Sequence, residues 1–192
     1  MDDDDQSAKG SDQGRPTGRG SGAPGAAGRL AVRIRAAIPE DAARLAELRR
    51  QAEAVHARLL PDYFRVSGRD VGGPAAPPAD GGMAVTLVAE PSSRGGPPDR
   101  ALGYVSLKVV DTPRDPAMTP RRRTHVEVIV VDAAARGRGI GTALMRAATD
   151  WSRRRAAAEL VLTVWSDNAA AEALYRGLGY EPIARILRLP LD

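Results

Sequence analysis

The stretch that decides the fold is VVDAAARGRGIGTALM, residues Val130–Met145. It sets an apolar strand end, a short turn, three glycines (Gly137, Gly139, Gly141) and a helix-forming run in direct succession. Backbone N–H groups at a helix start lack intrahelical acceptors and carry the positive end of the dipole, so such a turn makes an anion site. Glycines let a diphosphate reach the backbone without meeting a Cβ. Spacing separates the alternatives. A Walker-type phosphate loop requires Gly-Lys-Ser/Thr after the turn, and no lysine stands there. A Rossmann fingerprint requires GxGxxG, but after Gly137-x-Gly139 the third position holds Thr142, and the acidic ribose partner downstream is poor. A glycine-rich loop with no ligand is the plain alternative.

Working outward, RTHVEVIVV (Arg123–Val131) is the most β-branched run of the chain and reads as a central strand. After the turn, a helix over Gly139–Arg155 carries Ile140, Leu144, Ala147, Ala148 and Trp151 on one face. LVLTVW (Leu160–Trp165) is the next strand, Asp167 or Asn168 caps a helix through Leu178, and Gly179 ends it. YEPIARILRL (Tyr180–Leu189) reads as a closing strand. Upstream, LAVRIRAA (Leu30–Ala37) alternates as a strand does. Pro39, Glu40 and Asp41 then open a helix whose apolar positions Ala42, Leu45, Leu48, Ala52 and Val55 carry it to about Leu59. Met83–Glu90 and Ala101–Asp111 are two further strands. PDYFRVSG after the first helix is a short helix or turn, and the Gly/Pro-rich pieces at 72–82, 91–100 and 112–120 are loops. The order βα, ββ, βαβαβ predicts one mixed α/β domain over residues 30–192. Residues 1–29 are Gly, Ser, Pro, Asp and Arg with almost no large apolar side chain, and predict a disordered tail.

Composition narrows the chemistry. The 192 residues are 43% hydrophobic and 27% charged, enough for a sizeable core, and at 4% aromatic that core must be mainly aliphatic. Absence of cysteine excludes a disulfide scaffold, a thiolate metal site and a Cys nucleophile. His56 and His125 are the only histidines, too few to suggest zinc, so no metal is expected. No apolar run reaches the roughly 18 residues of a membrane span. The acidic start MDDDDQSAKG is unlike a secretory signal, and a cytoplasmic location is expected. The formal charge of +4 is mild, and 26 of the 28 basic residues are arginine, a bias of composition. The runs Arg121–Arg123 and Arg153–Arg155 read as solvated surface, and the few aromatics and the aspartates of the tail argue against nucleic-acid binding.

The spacing Arg136-x-x-Gly139-x-Gly141 resembles the (Arg/Gln)-x-x-Gly-x-(Gly/Ala) acyl-CoA signature of the GNAT family of N-acetyltransferases. Val131 falls where that family has a Val five residues earlier. Asn168-AAAEAL-Tyr175-RGLGY resembles its N-x-x-A-x-x-x-Y-x-x-x-G-F segment, with Tyr180 for Phe, and VRIRAAIPEDAARLAEL resembles its usual opening. Ala133 departs from the proline many members carry. The resemblance covers about residues 31–190. It implies a mostly antiparallel central sheet with one splayed parallel pair, flanked by helices. It also implies transfer of an acetyl group from acetyl-CoA directly to a primary amine, of a small molecule or a protein.

Specific residues take roles in that scheme. The diphosphate would meet the backbone of Arg136, Gly137, Arg138, Gly139, Ile140, Gly141 and Thr142, with Arg138 a charge partner. The pantetheine arm would pair with backbone groups of Ile129 and Val131, and Asn168 would contact it. An alkylamine is mostly protonated at neutral pH, with an unperturbed pKa of about 10.4, so a base must act first. By alternation Glu127 shares a face with Ile129 and Val131, and a carboxylate buried among Val126, Val128 and Ile129 would need a partner or a function. Glu127 is therefore the candidate base, directly or through water, with His125 its rival. By resemblance Tyr175 is the general acid for the leaving thiolate. The acceptor would lie against His56, Leu60, Asp62, Tyr63, Phe64 and the loop between Asp111 and Arg123. A CoA-binding regulatory module without turnover is the alternative of a different class. Homodimers are common in the family, while the sequence itself leaves oligomeric state open.

Overall fold

A computed structural model describes residues 28–66, 83–92, 100–112, 117 and 119–191. Residues 1–27 of the expected tail, the 72–82 loop and most of the 91–100 and 112–120 connections lie outside the described residues. The elements run β1 (Val32–Ala36), α1 (Ala42–Leu59), β2 (Ala84–Pro91), β3 (Gly103–Asp111), β4 (Arg122–Val131), α2 (Ile140–Arg153), β5 (Glu159–Val161) and α3 (Ala169–Gly177). Single 3-10 turns at Pro39–Asp41 and Ala133–Ala135 lead into α1 and α2. The five strands form one sheet in the order β1-β2-β3-β4-β5, antiparallel except for the parallel pair β4 and β5. This is the mixed α/β architecture expected. Among the described residues no helix is long and apolar enough to cross a membrane.

The strand period of two divides the core between the faces of the sheet. Leu87, Ala89, Val105, Leu107 and Val109 face α2, whose Ile140, Leu144, Met145, Ala148 and Trp151 are all buried against them. The intervening Val88 and Tyr104, with Val130 of β4, face Leu45 and Leu48 of α1. Of the periodic residues read as inner faces, Leu45, Leu48 and Ala52 of α1 and Ile140, Leu144, Ala147, Ala148 and Trp151 of α2 pack in this core, whereas Ala42 is exposed. β3 and β4 approach closely at Gly103, where a Cβ would stand 2.5 Å from the Val130 carbonyl oxygen.

Three expectations need correction. β4 is not evenly alternating: Leu107 pairs with Val126 but the adjacent Ser106 pairs with Val128, which leaves Glu127 as the extra residue of a β-bulge. Val126, Ile129 and Val131 consequently pack on the α2 side and Val128 and Val130 on the α1 side, so Glu127 does not simply share a face with Ile129 and Val131. β5 is Glu159–Val161, shorter than Leu160–Trp165, because its ladder with β4 stops after three pairs. Residues 181–191 form no strand. Among the described residues no backbone hydrogen bond joins them to the sheet, and Ile183, Ile186, Leu187, Leu189 and Leu191 are exposed.

Candidate active site

The turn after β4 is held from several sides. Asp132 accepts from Ala134 N–H at 2.8 Å and pairs with Arg44 of α1, while Gln51 Oε1 accepts from Ala133 N–H at 3.0 Å. Arg136 Nε donates to the Val131 carbonyl at 3.2 Å, tying the loop back to its strand. Gly137 and Gly139 adopt φ of +73° and +83°, the left-handed region that a Cβ disfavours. Gly139 is the N-cap of α2 and supplies no side chain to it. The first intrahelical bond runs from Ala143 N–H to the Gly139 carbonyl at 3.0 Å. The N–H groups of Ile140, Gly141 and Thr142 thus precede the ladder and face outward at the positive end of α2. Such a cradle fits a diphosphate, which the glycines admit to backbone distance. Gly141 also serves the packing of the helices. Its Cβ would lie 3.1 Å from Leu174 Cδ2, so its smallness lets α3 pack on α2.

The same loop opens onto a gap in the sheet. Pairing between β4 and β5 is confined to Arg123 with Glu159, Thr124 with Leu160 and His125 with Val161. Arg123 and Glu159 also form an ion pair that closes this end. Past Val161 the chain leaves β4, and Val126–Val131 lose their strand neighbour on that side. A cavity of about 1410 Å³ fills the gap, running from Gly139–Thr142 along β4 to Glu127, His125 and His56. Its other wall is Leu162–Trp165 and the start of α3.

The structure brings most of the expected residues to this cavity: Glu127, Ile129, Val131, Arg136, Gly137, Gly139, Ile140, Gly141, Thr142, Asn168 and Tyr175 all line it. Arg138 does not. It is half-buried beside the cradle, and its carbonyl accepts from Leu30 N–H at 3.1 Å. Asn168, not Asp167, is the N-cap of α3, accepting from Ala171 N–H at 3.2 Å. Tyr175 is 8% exposed, and burial raises its pKa above the ordinary tyrosine value, so it stays protonated through neutral pH. Its ring lies 5.7 Å from that of Tyr180, whose pKa is pushed up to about 12 by burial and then by Tyr175. Glu127 and His125 are both exposed to the cavity. The burial expected of Glu127 is absent, because the bulge turns the side chain out of the packed faces.

At the far end, His56 and Trp165 line the cavity, and Tyr63 and Phe64 back them. Phe64 meets Trp165 edge-on at 4.9 Å and His56 at 5.1 Å, and Tyr63 lies 5.6 Å from Trp165. Leu60 and Asp62 do not reach the lining. Sequence reading missed Lys108, which stands opposite His125 and lines the cavity, and it missed Trp165 as a wall. Lys108 carried one signal: it is a charged residue in the middle of a mainly apolar strand, GYVSLKVVD, whose other charge, Asp111, stands at the end.

The chain is similar to known proteins in sequence and in fold. N-alpha-acetyltransferase 30 of Saccharomyces cerevisiae is 29% identical over 100 residues, 52% of this chain and 54% of that protein. N-alpha-acetyltransferase RimI of Mycobacterium tuberculosis is 42% identical over 65 residues, 34% of this chain and 39% of that protein. The chain thus spans about half or less of the length of these curated relatives. The F44R mutant of the BH1408 protein from Bacillus halodurans superposes with a TM-score of 0.74 at 26% identity, covering 83% of this chain and 99% of that one. Residues 83–180, half of the chain and the part that carries the cradle, the gap and α3, match the acetyltransferase (GNAT) family model, so the chain belongs to that family, whose members use acetyl-CoA.

Proposed function

We propose that this domain transfers an acetyl group from acetyl-CoA to a primary amine by direct attack within a ternary complex. The observation that carries the reading is the opening of the parallel pair β4 and β5 beyond His125, directly beside an anion cradle. A free sheet edge offers backbone hydrogen bonds to an extended, amide-bearing arm, as an added strand would take them. When bound, acetyl-CoA supplies a thioester whose carbonyl carbon is open to attack.

Every other step belongs to the chain. The N–H groups of Ile140, Gly141 and Thr142 bind the diphosphate, and the backbone of Ile129 and Val131 aligns the arm. Glu127 takes a proton from the incoming ammonium, directly or through a water, and His125 is the competing base on the same wall. The bulge favours Glu127 for this, since it turns that side chain out of the packed faces of β4 and toward the cavity. As the new N–C bond forms and the C–S bond breaks, the phenol of Tyr175 donates its proton to the departing sulfur. A thiol pKa of about 8.5 makes that a modest demand. Asn168 holds the start of α3, and with it the placement of Tyr175 one wall away.

The decisive experiment is a thermal-shift titration with acetyl-CoA and CoA, NADH serving as control, followed by steady-state acetylation of a panel of amines. A ligand at 100 times its Kd stabilises by about 2.7 kcal/mol. A shift with acetyl-CoA and turnover of an amine support the transferase. Binding without turnover of any amine would leave a CoA-binding regulatory module, and no shift at millimolar acetyl-CoA would overturn both.

A further inference from the structure

The glycine cradle has a neighbour from the other end of the chain. Leu30, two residues before β1, donates its N–H to the Arg138 carbonyl at 3.1 Å. That bond lays the segment entering β1 across the loop that precedes α2. Arg29 is thereby set over Gly139: a Cβ built on Gly139 would lie 3.5 Å from Arg29 Nε and 4.0 Å from Nη2. The side-chain space that Gly139 leaves empty is therefore bordered by a guanidinium. Arg29 is exposed, and neither it nor the half-buried Arg138 makes an ion pair among the described residues. Other arginines near the start of the sheet are taken up by carboxylates, as Arg33 and Arg35 are by Glu90, and Arg44 by Asp132. Neither Arg29 nor Arg138 lines the cavity itself; both stand just outside its rim at the cradle.

From this we infer that Arg29 is a phosphate-binding residue of the acyl-donor site, closing over the phosphate-bearing end of CoA where it leaves the cradle. The inference rests on the acetyl-CoA reading above. A guanidinium presents paired donors in a rigid fork that suits phosphate oxygens, and an unpaired one needs no ion pair broken before it binds. The hydrogen bond from Leu30 fixes the distance at which the fork works, so binding and the anchoring of the segment before β1 reinforce each other. CoA carries two phosphate groups that could be gripped, the diphosphate and the 3′-phosphate. The chemistry is shared, and truncated ligands separate the two.

Isothermal titration of wild type, Arg29→Gln and Arg29→Lys with CoA, 3′-dephospho-CoA and pantetheine tests the inference without relying on turnover. Arg29→Gln should weaken CoA by about tenfold, the loss expected for a hydrogen bond to a charged group. Pantetheine, which has neither phosphate, should bind wild type and variant alike, and Arg29→Lys should recover part of the loss. If 3′-dephospho-CoA shows the same drop, Arg29 grips the diphosphate; if the drop vanishes with that ligand, Arg29 grips the 3′-phosphate. Either result supports the assignment. Equal CoA affinity of Arg29→Gln and wild type, within about twofold, would overturn it while leaving the transferase reading intact. Failure of wild type to bind CoA at all would overturn both. Because Arg29 lies outside every helix and strand and is exposed, an unchanged melting temperature of the ligand-free variants is expected and separates a binding loss from misfolding.

Discussion

Arg35 grips Asp41 with two hydrogen bonds, Nη1 to Oδ2 at 2.6 Å and Nη2 to Oδ1 at 2.8 Å, and Asp41 is completely buried. Asp41 also accepts from Ile38 N–H at 2.9 Å, which fastens the turn that starts α1 to strand β1. Burial alone would push the Asp41 carboxyl up, but the Arg35 guanidinium and the Ile38 N–H outweigh it and hold the carboxyl below the usual range. A carboxylate with a lowered folded pKa stabilises fully above its unfolded value of about 3.9, and that contribution is lost as pH falls through the folded value. Asp41→Asn should cost about 1.5–3 kcal/mol at pH 7, because it weakens two charge-assisted hydrogen bonds to Arg35, which keeps its pairing with Glu90. Urea unfolding across pH 7 to 2 should show the gap between variant and wild type closing below about pH 4. A constant gap would disprove the linkage.

Gly103 is predicted to resist even the smallest enlargement. Its absent Cβ would press on the Val130 carbonyl oxygen, an atom of the β3–β4 ladder that cannot rotate away. Gly103→Ala should lower stability by about 1–3 kcal/mol, read as a lower urea midpoint with the slope unchanged.

Tyr104 offers the opposite outcome. It is fully buried, its hydroxyl has no hydrogen-bond partner among the described residues, and burial pushes its pKa up to about 12. Removing an unsatisfied buried hydroxyl relieves its desolvation cost, so Tyr104→Phe should stabilise by about 1 kcal/mol. A marked loss of stability would mean that a bound water satisfies the hydroxyl.

The two catalytic assignments separate by pH. Burial raises the Tyr175 pKa above the ordinary tyrosine value, so an alkaline limb close to neutral pH belongs to another group. Tyr175→Phe should lower kcat by about tenfold or more with the position of such a limb unchanged. Turnover equal to wild type over the whole range would remove Tyr175 as the acid.

Glu127→Gln should lower kcat/KM for the amine by more than about tenfold while leaving acetyl-CoA binding intact. The parallel variant His125→Gln should have a smaller effect. The reverse ranking would hand the base to His125.

Much of this molecule was determined by local sequence. Leu45 and Leu48, or Ile140, Leu144, Ala148 and Trp151, recur at the helical period, and that period alone decides which face is buried. Asn168 caps its helix through a bond three residues away, and Gly137 and Gly139 mark backbone angles that other residues avoid. These features close within a few residues, so the residues themselves carry them. Tertiary structure decided the rest. The bulge at Glu127 exists only in the register of β4 against β3, and it moved the candidate base off the face that alternation gave it. β5 ends at Val161 because its partner diverges, although Leu162–Trp165 are as apolar as the residues before them. Tyr180–Leu189 are rich in the apolar residues that read as a closing strand, yet a strand needs an edge to receive it, and the described sheet receives none. Pairings such as Arg35 with Glu90, Arg44 with Asp132 and Leu30 with Arg138 join positions 55 or more residues apart, and no local pattern encodes a partner at that distance.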